Sequence, residues 1–300
     1  WSFGDDTPAQ TGSSVEHTYA DNGTYIITLT VTDGQDSTAQ SATITVNNVA
    51  PVIRILDGDD TGIEAQSLGY NAEATDVAGD ADPLTYTWDF GDNTPIVSGV
   101  DLVSVTHVFS DAGQYTVRLR VSDGDGGSTN RSLIVQIGNS PPVIEDLAGD
   151  VSGTEGDSFA FRSAATDAGG DSLTFTWDFG DGSDNVSGVG LDTLEHTYAD
   201  NGDYRLTLSV TDGTDTVQAQ LSIAVENADP SLRNVTVPDG LLEGVVFTAS
   251  TQGTDPAGSN DPLTFTWNFG DGNQAQGGTV QHTFADNGSY TMMVTVADDD

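Results

Sequence analysis

The chain has no cysteine and no lysine. Without cysteine there are no disulfides, no zinc–thiolate sites and no thiol catalysis. All seven basic residues are arginine, set against 47 Asp and Glu, for a net charge of −40. So few cations exclude nucleic acid as a direct partner, because phosphate binding needs clustered positive charge. They also argue against docking on anionic lipid. No apolar run approaches the length of a membrane-spanning helix. No GxSxG, HExxH or phosphate-loop pattern occurs. No leader or initiator Met is recognised, and the sequence opens at Trp1 in mid-pattern, as a slice of a longer protein would. Hydrophobic residues make up 36% of 300, little for one large core but enough for several thin ones. The surplus negative charge calls for salt or a divalent cation as neutraliser.

What is present repeats. Trp1-Ser-Phe-Gly-Asp, Trp88-Asp-Phe-Gly-Asp, Trp177-Asp-Phe-Gly-Asp and Trp267-Asn-Phe-Gly-Asp stand 87, 89 and 90 residues apart. His17, His107, His196 and His282 each precede Tyr or Phe by two, and Tyr25, Tyr115, Tyr204 or Tyr290 by eight. Eight further on come Asp33, Asp123, Asp212 and Asp298. Only the stretch from Trp to His varies, at 16, 19, 19 and 15 residues, which predicts an elastic surface loop in a rigid frame. After each Tyr the pattern alternates, as in Tyr204, Leu206, Leu208 and Val210, with Thr or Ser between. That period marks a half-buried antiparallel strand. Asp-Asn-Gly at 21–23, 200–202 and 286–288, and Asp-Ala-Gly at 111–113, read as the preceding tight turns. No stretch has helical periodicity. Units of about 90 residues with some seven short strands predict an all-β chain of tandem immunoglobulin-like β-sandwiches in a linear array.

Three linkers share the pattern Asn-x-x-Pro: Asn48 to Pro51, Asn139 to Pro142 and Asn227 to Pro230. Short and proline-bearing, they predict stiff joints. The expected domains are 1–49, the C-terminal part of one unit; 50–138 and 139–227, complete; and 228–300, lacking its last strand. The Trp-[Asp/Ser/Asn]-Phe-Gly-Asp run, His-x-[Tyr/Phe], Gly-x-Tyr and the closing Asp resemble the PKD domain (polycystic kidney disease repeat), in four tandem copies. The resemblance implies an extracellular spacer, adhesion or ligand-binding module, often tandem in microbial surface proteins and beside secreted hydrolases. It also implies that calcium can bind near the N-terminal linker, as in the PKD-like domains of some secreted collagenases.

Each Trp, with Phe two residues on, reads as the core plug of a sandwich. The Gly-Asp that follows reads as a turn whose Asp caps backbone amides. Each His is solitary in its unit and reads as structural packing, since one imidazole is a poor transition-metal site. Asp60-Thr61-Gly62 matches the aspartic-protease tripeptide, but Ser152-Gly153-Thr154 replaces it in the next copy, and it falls in the turn between the first two strands. Asp123-Gly-Asp125-Gly-Gly127 looks like half a calcium loop, yet it occupies a hairpin of one repeat and reads as a plain turn.

The informative constellation is acidic. From each linker Asn to the Asp ending the second strand is 28 residues: Asn48 to Asp76, Asn139 to Asp167, Asn227 to Asp255. Six residues before each Trp stands another Asp: Asp82, Asp171 and Asp261. The second strand returns toward the linker, so one amide oxygen and two carboxylates converge there. Such hard oxygen ligands suit Ca²⁺. The rival reading has these Asp capping turns and facing water. Asp80 is a possible addition. Glu64, Glu155 and Glu243 recur twelve residues before the first Asp, at the opposite end of each unit. Glu64 would then reach the site of Asn139, and Glu155 that of Asn227, making the sites interdomain, with a loose similarity to cadherin joints.

The expected protein is therefore no enzyme. It is a secreted or cell-surface spacer or adhesion segment, stiffened by calcium near its linkers, monomeric within a longer chain and not itself inserted in a membrane. Its expected partner is a protein or polysaccharide at the cell surface. The alternative is a carbohydrate- or protein-binding accessory module of a secreted hydrolase, recognising its ligand through Pro95–Thr106 and Ser183–Leu194. No aromatic lies between Trp88 and His107 or between Trp177 and His196, which weighs against a stacking glycan platform there.

Overall fold

The computed structural model describes residues 1–79 and 82–299 and contains no α-helix among them. By packing, the chain divides into two units, Trp1–Ser140 and Pro141–Asp300. No helix is long and apolar enough to cross a membrane among the described residues.

In the first unit, β1 (Gly23–Thr32) and β2 (Ser37–Val46) form an antiparallel ribbon. Ser2 adds a single bridge to Thr28. The second repeat holds β3 (Val52–Gly58), β4 (Thr61–Ile63), β5 (Ser67–Thr75), β6 (Thr85–Asp89), β7 (Val97–Val100), β8 (Ser104–Val108), β9 (Gly113–Ser122) and β10 (Ser128–Gly138). They make a three-stranded sheet, β3-β5-β8, and a five-stranded sheet, β4-β10-β9-β6-β7.

The second unit repeats this plan. β11 (Val143–Gly149), β13 (Ser158–Thr166) and β16 (Thr193–Thr197) form one sheet. β12 (Ser152–Thr154), β18 (Thr216–Glu226), β17 (Gly202–Thr211), β14 (Thr174–Asp178) and β15 (Val186–Val189) form the other. The fourth repeat has β19 (Ser231–Thr236), β20 (Phe247–Thr254) and β23 (Thr279–His282) in one sheet. β22 (Gln274–Gln276), β21 (Thr264–Asn268) and β24 (Met293–Ala297) form its second.

The period of two along β9 and β17 sends Val117, Leu119 and Val121, and likewise Leu206, Leu208 and Val210, inward to full burial. Trp88, Trp177 and Trp267 are buried between the sheets. Each indole Nε1 donates to a carbonyl at 3.0–3.1 Å, of Leu102, Leu191 and Gly277 respectively. Burial so complete is tolerable for an indole because its one N–H is satisfied. Gly91 follows the Trp-x-Phe run at φ 77°, and a Cβ there would lie 2.7 Å from the Thr116 carbonyl. Gly180 and Gly270 repeat that close approach, to the backbone of Arg205 and Thr291.

Three expectations are corrected. Among the described residues each complete repeat has eight strands where some seven are expected, because a three-residue strand, β4 or β12, pairs in parallel with the last strand. The variable Trp-to-His stretch is not all loop. Val97-Ser-Gly-Val100 and Val186-Ser-Gly-Val189 carry enough β-branched residues to form β7 and β15, which pair with the Trp strand (Trp88↔Val97, Trp177↔Val186). Thr61 and Gly62 of the protease-like tripeptide lie in β4, not in a turn.

Candidate metal sites at the repeat joints

The recurrent motif letters assemble into one stack per repeat. His196 Nε2 lies 2.7 Å from Asp181 Oδ2, and the imidazole stacks on Phe179 at 3.7 Å between centroids. Its edge meets Tyr198, which in turn stacks on Tyr204. The same arrangement joins Asp5, His17, Phe3, Tyr19 and Tyr25. Asp92 with His107 and Asp271 with His282 complete the set of four. Asp181 also caps Ser183 N and Oγ with its other oxygen. Burial works against the ionised form, but the bonds from Ser183 and His196 outweigh it and hold Asp181 below the ordinary aspartate value. His, Phe, Gly-Asp and Tyr thus recur together because they form one clasp between the two sheets.

The acidic residues gather elsewhere, at the ends of the repeats. In the first unit, Asp21, Asp82 and Asp125 bring carboxylate oxygens within 4.8 Å of one another. Asp21 belongs to the turn before β1 of the first repeat, Asp82 to the loop before β6, and Asp125 to the β9–β10 hairpin. Asp82 is 5% exposed, and its Oδ2 is buried without a hydrogen-bond partner. Burial, then the neighbouring Asp125, Asp21 and Asp76, push its carboxyl up to about 6. The hairpin is fixed by Asp123. Its Oδ1 accepts from Asp125 N and Gly127 N, and its Oδ2 accepts from Asn48 Nδ2 at 3.0 Å. Burial opposes ionisation of Asp123, but Asn48 and those amides overcome it and hold its carboxyl low. Asn48 thus ties the linker to the hairpin that carries Asp125. With its amide nitrogen turned inward, Asn22 donates to Asp21 Oδ1 and Asp125 Oδ2, both at 2.9 Å.

In the second unit, Glu155, Asp200 and Asp261 form the matching cluster within the same limit. Asp200 occupies in the third repeat the turn position that Asp21 holds in the first, and Asp261 matches Asp82. Glu155 is 2% exposed; its Oε1 accepts from Ala228 N in the linker, and its Oε2 is buried without a partner. Asp255 Oδ1 caps Ala257 N, while Asp255 Oδ2 and Asn227 Oδ1 are also buried and unpartnered. Two close approaches hold this joint. Asn260 Nδ2 donates to the Ala199 carbonyl at 3.2 Å. Gly156, at φ 79°, sits where a Cβ would come 2.8 Å from Pro256 Cβ.

The other candidate residues are placed as follows. Glu64 is 3% exposed; Oε1 accepts from Ala112 N at 2.6 Å and Oε2 from the linker amide of Ser140 at 3.0 Å. Asp76 Oδ1 caps Ala78 N, leaving Oδ2 buried and unpartnered. Asp167 Oδ1 accepts from Gly170 N and Asp171 N, with Oδ2 again unpartnered. Asn139 opens the linker after β10. Glu243 is exposed, unlike Glu64 and Glu155. Asp80 lies outside the described residues. One oxygen of Asp76, Asp167 and Asp255 caps a turn, while the other is withheld from water rather than facing it.

Three cluster members escaped the sequence reading: Asp21, Asp125 and Asp200. Asp21 and Asp200 recur in the Asp-Asn-Gly turns, but a turn signal accounts for them locally and nothing local shows what their carboxylates face. Asp125 lies in the half calcium loop taken for a plain turn.

The profile of the PKD domain family matches residues 1–47, 48–137, 139–226 and 227–300. The chain belongs to that family, as four tandem copies with immunoglobulin-like architecture. Among known proteins it is similar to human Polycystin-1, 29% identical over 297 residues, which is 95% of this chain and 6% of that protein. It is similar to Chitinase A of Pseudoalteromonas piscicida, 29% identical over 137 residues, 44% of this chain and 16% of that protein. The chain thus spans a small part of the length of these relatives. Among solved structures, Sidekick-1 immunoglobulin domains 1-5 align over 94% of this chain and 66% of that one, at 15% identity and TM-score 0.35.

Proposed function

We propose that this chain is a non-catalytic spacer or adhesion segment of an extracellular or cell-surface protein, whose joints take up Ca²⁺ and stiffen. The observation that carries the reading is the gathering, at two joints, of carboxylates from two consecutive repeats around buried oxygens that have no donor. An unpartnered buried carboxylate oxygen is costly unless a cation or donor reaches it. The donor set fits a hard cation: every available atom is oxygen, with no sulfur or imidazole among the cluster members. At the first joint Asp21, Asp82 and Asp125 would hold the ion; at the third, Glu155, Asp200 and Asp261, with Asn227 and Asp255 adjoining. Calcium there turns mutual repulsion into attraction between neighbouring repeats. Extracellular modules bind calcium at about 10⁻⁴–10⁻³ M, so such sites fill outside cells.

The test is calorimetry and small-angle scattering on the full chain, in EGTA and in millimolar calcium. Calcium should raise the melting temperature and narrow the distribution of inter-repeat distances, and Asp82→Asn with Asp261→Asn should remove both effects. An unchanged melting temperature and scattering profile would leave the acidic residues as solubility and salt tolerance, and the protein as a plain spacer. A second reading, a carbohydrate- or protein-binding accessory module, is favoured by the one concentration of positive charge in the second repeat.

A further inference from the structure

Four of the seven arginines fall in the second repeat: Arg54, Arg118, Arg120 and Arg131. Arg118 and Arg120 alternate with buried Leu119 on β9, so both side chains stand on the outer face of the five-stranded sheet. The register sets Arg120 between Thr87 on β6 and Asn130 on β10, and Arg118 between Asp89 and Ser132. These residues and Arg131 line a shallow hollow of about 380 Å³. Arg131 reaches round the sandwich edge, its Nη1 donating to the Arg54 carbonyl. Arg118 has one carboxylate neighbour, Asp89, at 3.6 Å and half exposed to water, which leaves most of its fork free.

The sibling repeats are an internal control on what the fold requires. At the register of Arg118 and Arg120 the first repeat carries Thr28 and Thr30, the third Thr207 and Ser209, the fourth Met293 and Thr295. The sandwich forms with a hydroxyl at both positions, so two guanidiniums are no framework feature. They stand against the −40 net charge of the chain.

We propose that this face binds an anionic polysaccharide, its carboxylate or sulfate groups taken by Arg118 and Arg120 and its hydroxyls by Asn130, Ser132 and Thr87. Guanidinium forks match planar or tetrahedral oxyanions with paired hydrogen bonds. Among the described residues no aromatic lines the hollow, so recognition rests on charge rather than on stacking against sugar rings. Neutral glycans should not bind. A thin linear chain touches the cationic face alone. An acidic protein, or a second copy of this chain, would bring its whole surface against a net charge of −40 and be repelled. The site uses none of the joint carboxylates, so it stands whether or not calcium binds.

The test immobilises the full chain in EGTA, which removes calcium bridging, and flows over polygalacturonate, dextran sulfate, neutral dextran and polyglutamate. At least one charged polysaccharide should bind, dextran should not, and raising salt should weaken binding steeply. Arg118→Thr with Arg120→Thr, the pair the first repeat carries, should weaken it by about tenfold or more. Arg205→Gln with Arg233→Gln should change nothing. Should the threonine pair destabilise the repeat, Arg118→Lys with Arg120→Lys keeps the charge, loses the fork and should still weaken binding. The proposal fails if neither charged polysaccharide binds, or if binding is indifferent to both β9 pairs. It fails equally if dextran binds as well, or if polyglutamate binds as tightly, which would make an acidic peptide the ligand.

Discussion

Asp82 offers a measurement that separates charge from packing at the first joint. Its carboxyl is pushed up to about 6 by burial and by Asp125, Asp21 and Asp76. An aspartate that binds protons more tightly folded than unfolded contributes its stability below the unfolded value, near pH 4. That contribution is lost as pH rises through about 6. In EGTA the melting temperature of the first unit should therefore fall between pH 5 and pH 7. Asp125→Asn removes the nearest like charge, so the fall should flatten and the protein should be more stable at pH 7.5. Yet the same substitution takes a charged ligand from the proposed calcium site, so calcium affinity should drop. The proton also competes with the ion. With its carboxyl pushed up to about 6, Asp82 holds a proton more readily at pH 5 than at pH 7.5, so calcium should bind this joint more weakly at pH 5. Calcium uptake should release more protons at pH 6 than at pH 7.5. Calorimetry in buffers of different ionisation enthalpy counts those protons, and thermal melts across the pH series read the stability. A flat melting profile in EGTA would refute the electrostatic account of Asp82. A sloping profile with no pH effect on calcium would refute only the placing of the ion.

Two further outcomes test the frame. Trp177→Ala removes a fully buried indole and leaves the Leu191 carbonyl without its donor, which should cost the third repeat about 3–5 kcal/mol; hydrogen exchange should rise sharply in β14 and β17 peptides and stay unchanged in β6 and β9. Because Asp181 is held below its ordinary value, its clasp stabilises above about pH 4 and is lost as pH falls through the folded value; His196→Ala should shift acid unfolding of the third repeat to higher pH, and an unchanged midpoint would show the clasp to be idle.

What the sequence revealed follows the range of the interaction. Alternation along Tyr204–Val210 is set by neighbours two residues apart, so the strand, its face and its turn were legible directly. The Asn-to-Asp spacing of 28 residues is the out-and-back path of two strands, so Asn227 and Asp255 could be placed at one end of a sandwich. Asp125 could not, because its position depends on Asp123 capping two amides while Asn48, 75 residues away, anchors that cap. Strands β7 and β15 were hidden for another reason. Val-Ser-Gly-Val is too short to alternate, and only the edge of the Trp strand makes it pair. The His–Asp clasp was half visible: the spacing was rigid, but Asp181 and His196 lie 15 residues apart on different elements.

The repetition gives the chain its own controls. Positions alike in all four copies, the Trp, the Phe-Gly-Asp, the His and the Tyr, all resolve into the core plug or the clasp, and each has a structural partner that explains it. Asp82 and Asp261, each six residues before its Trp, and Asp21 and Asp200, the turn Asp that all four copies carry, come together at the ends of repeats in carboxylate clusters that folding does not favour, since like charges are forced together and the buried Oδ2 of Asp82 and Oε2 of Glu155 go without donors. Positions found in one copy, Arg118 and Arg120, do neither: the sheet forms without them in three siblings. A residue that stabilises the sandwich should recur wherever the sandwich does, and one that serves a joint wherever there is a joint. By that logic replacing Trp177 unfolds one repeat, replacing Asp82 or Asp261 loosens a joint, and replacing the Arg118–Arg120 pair leaves fold and joints intact while changing only what the surface binds.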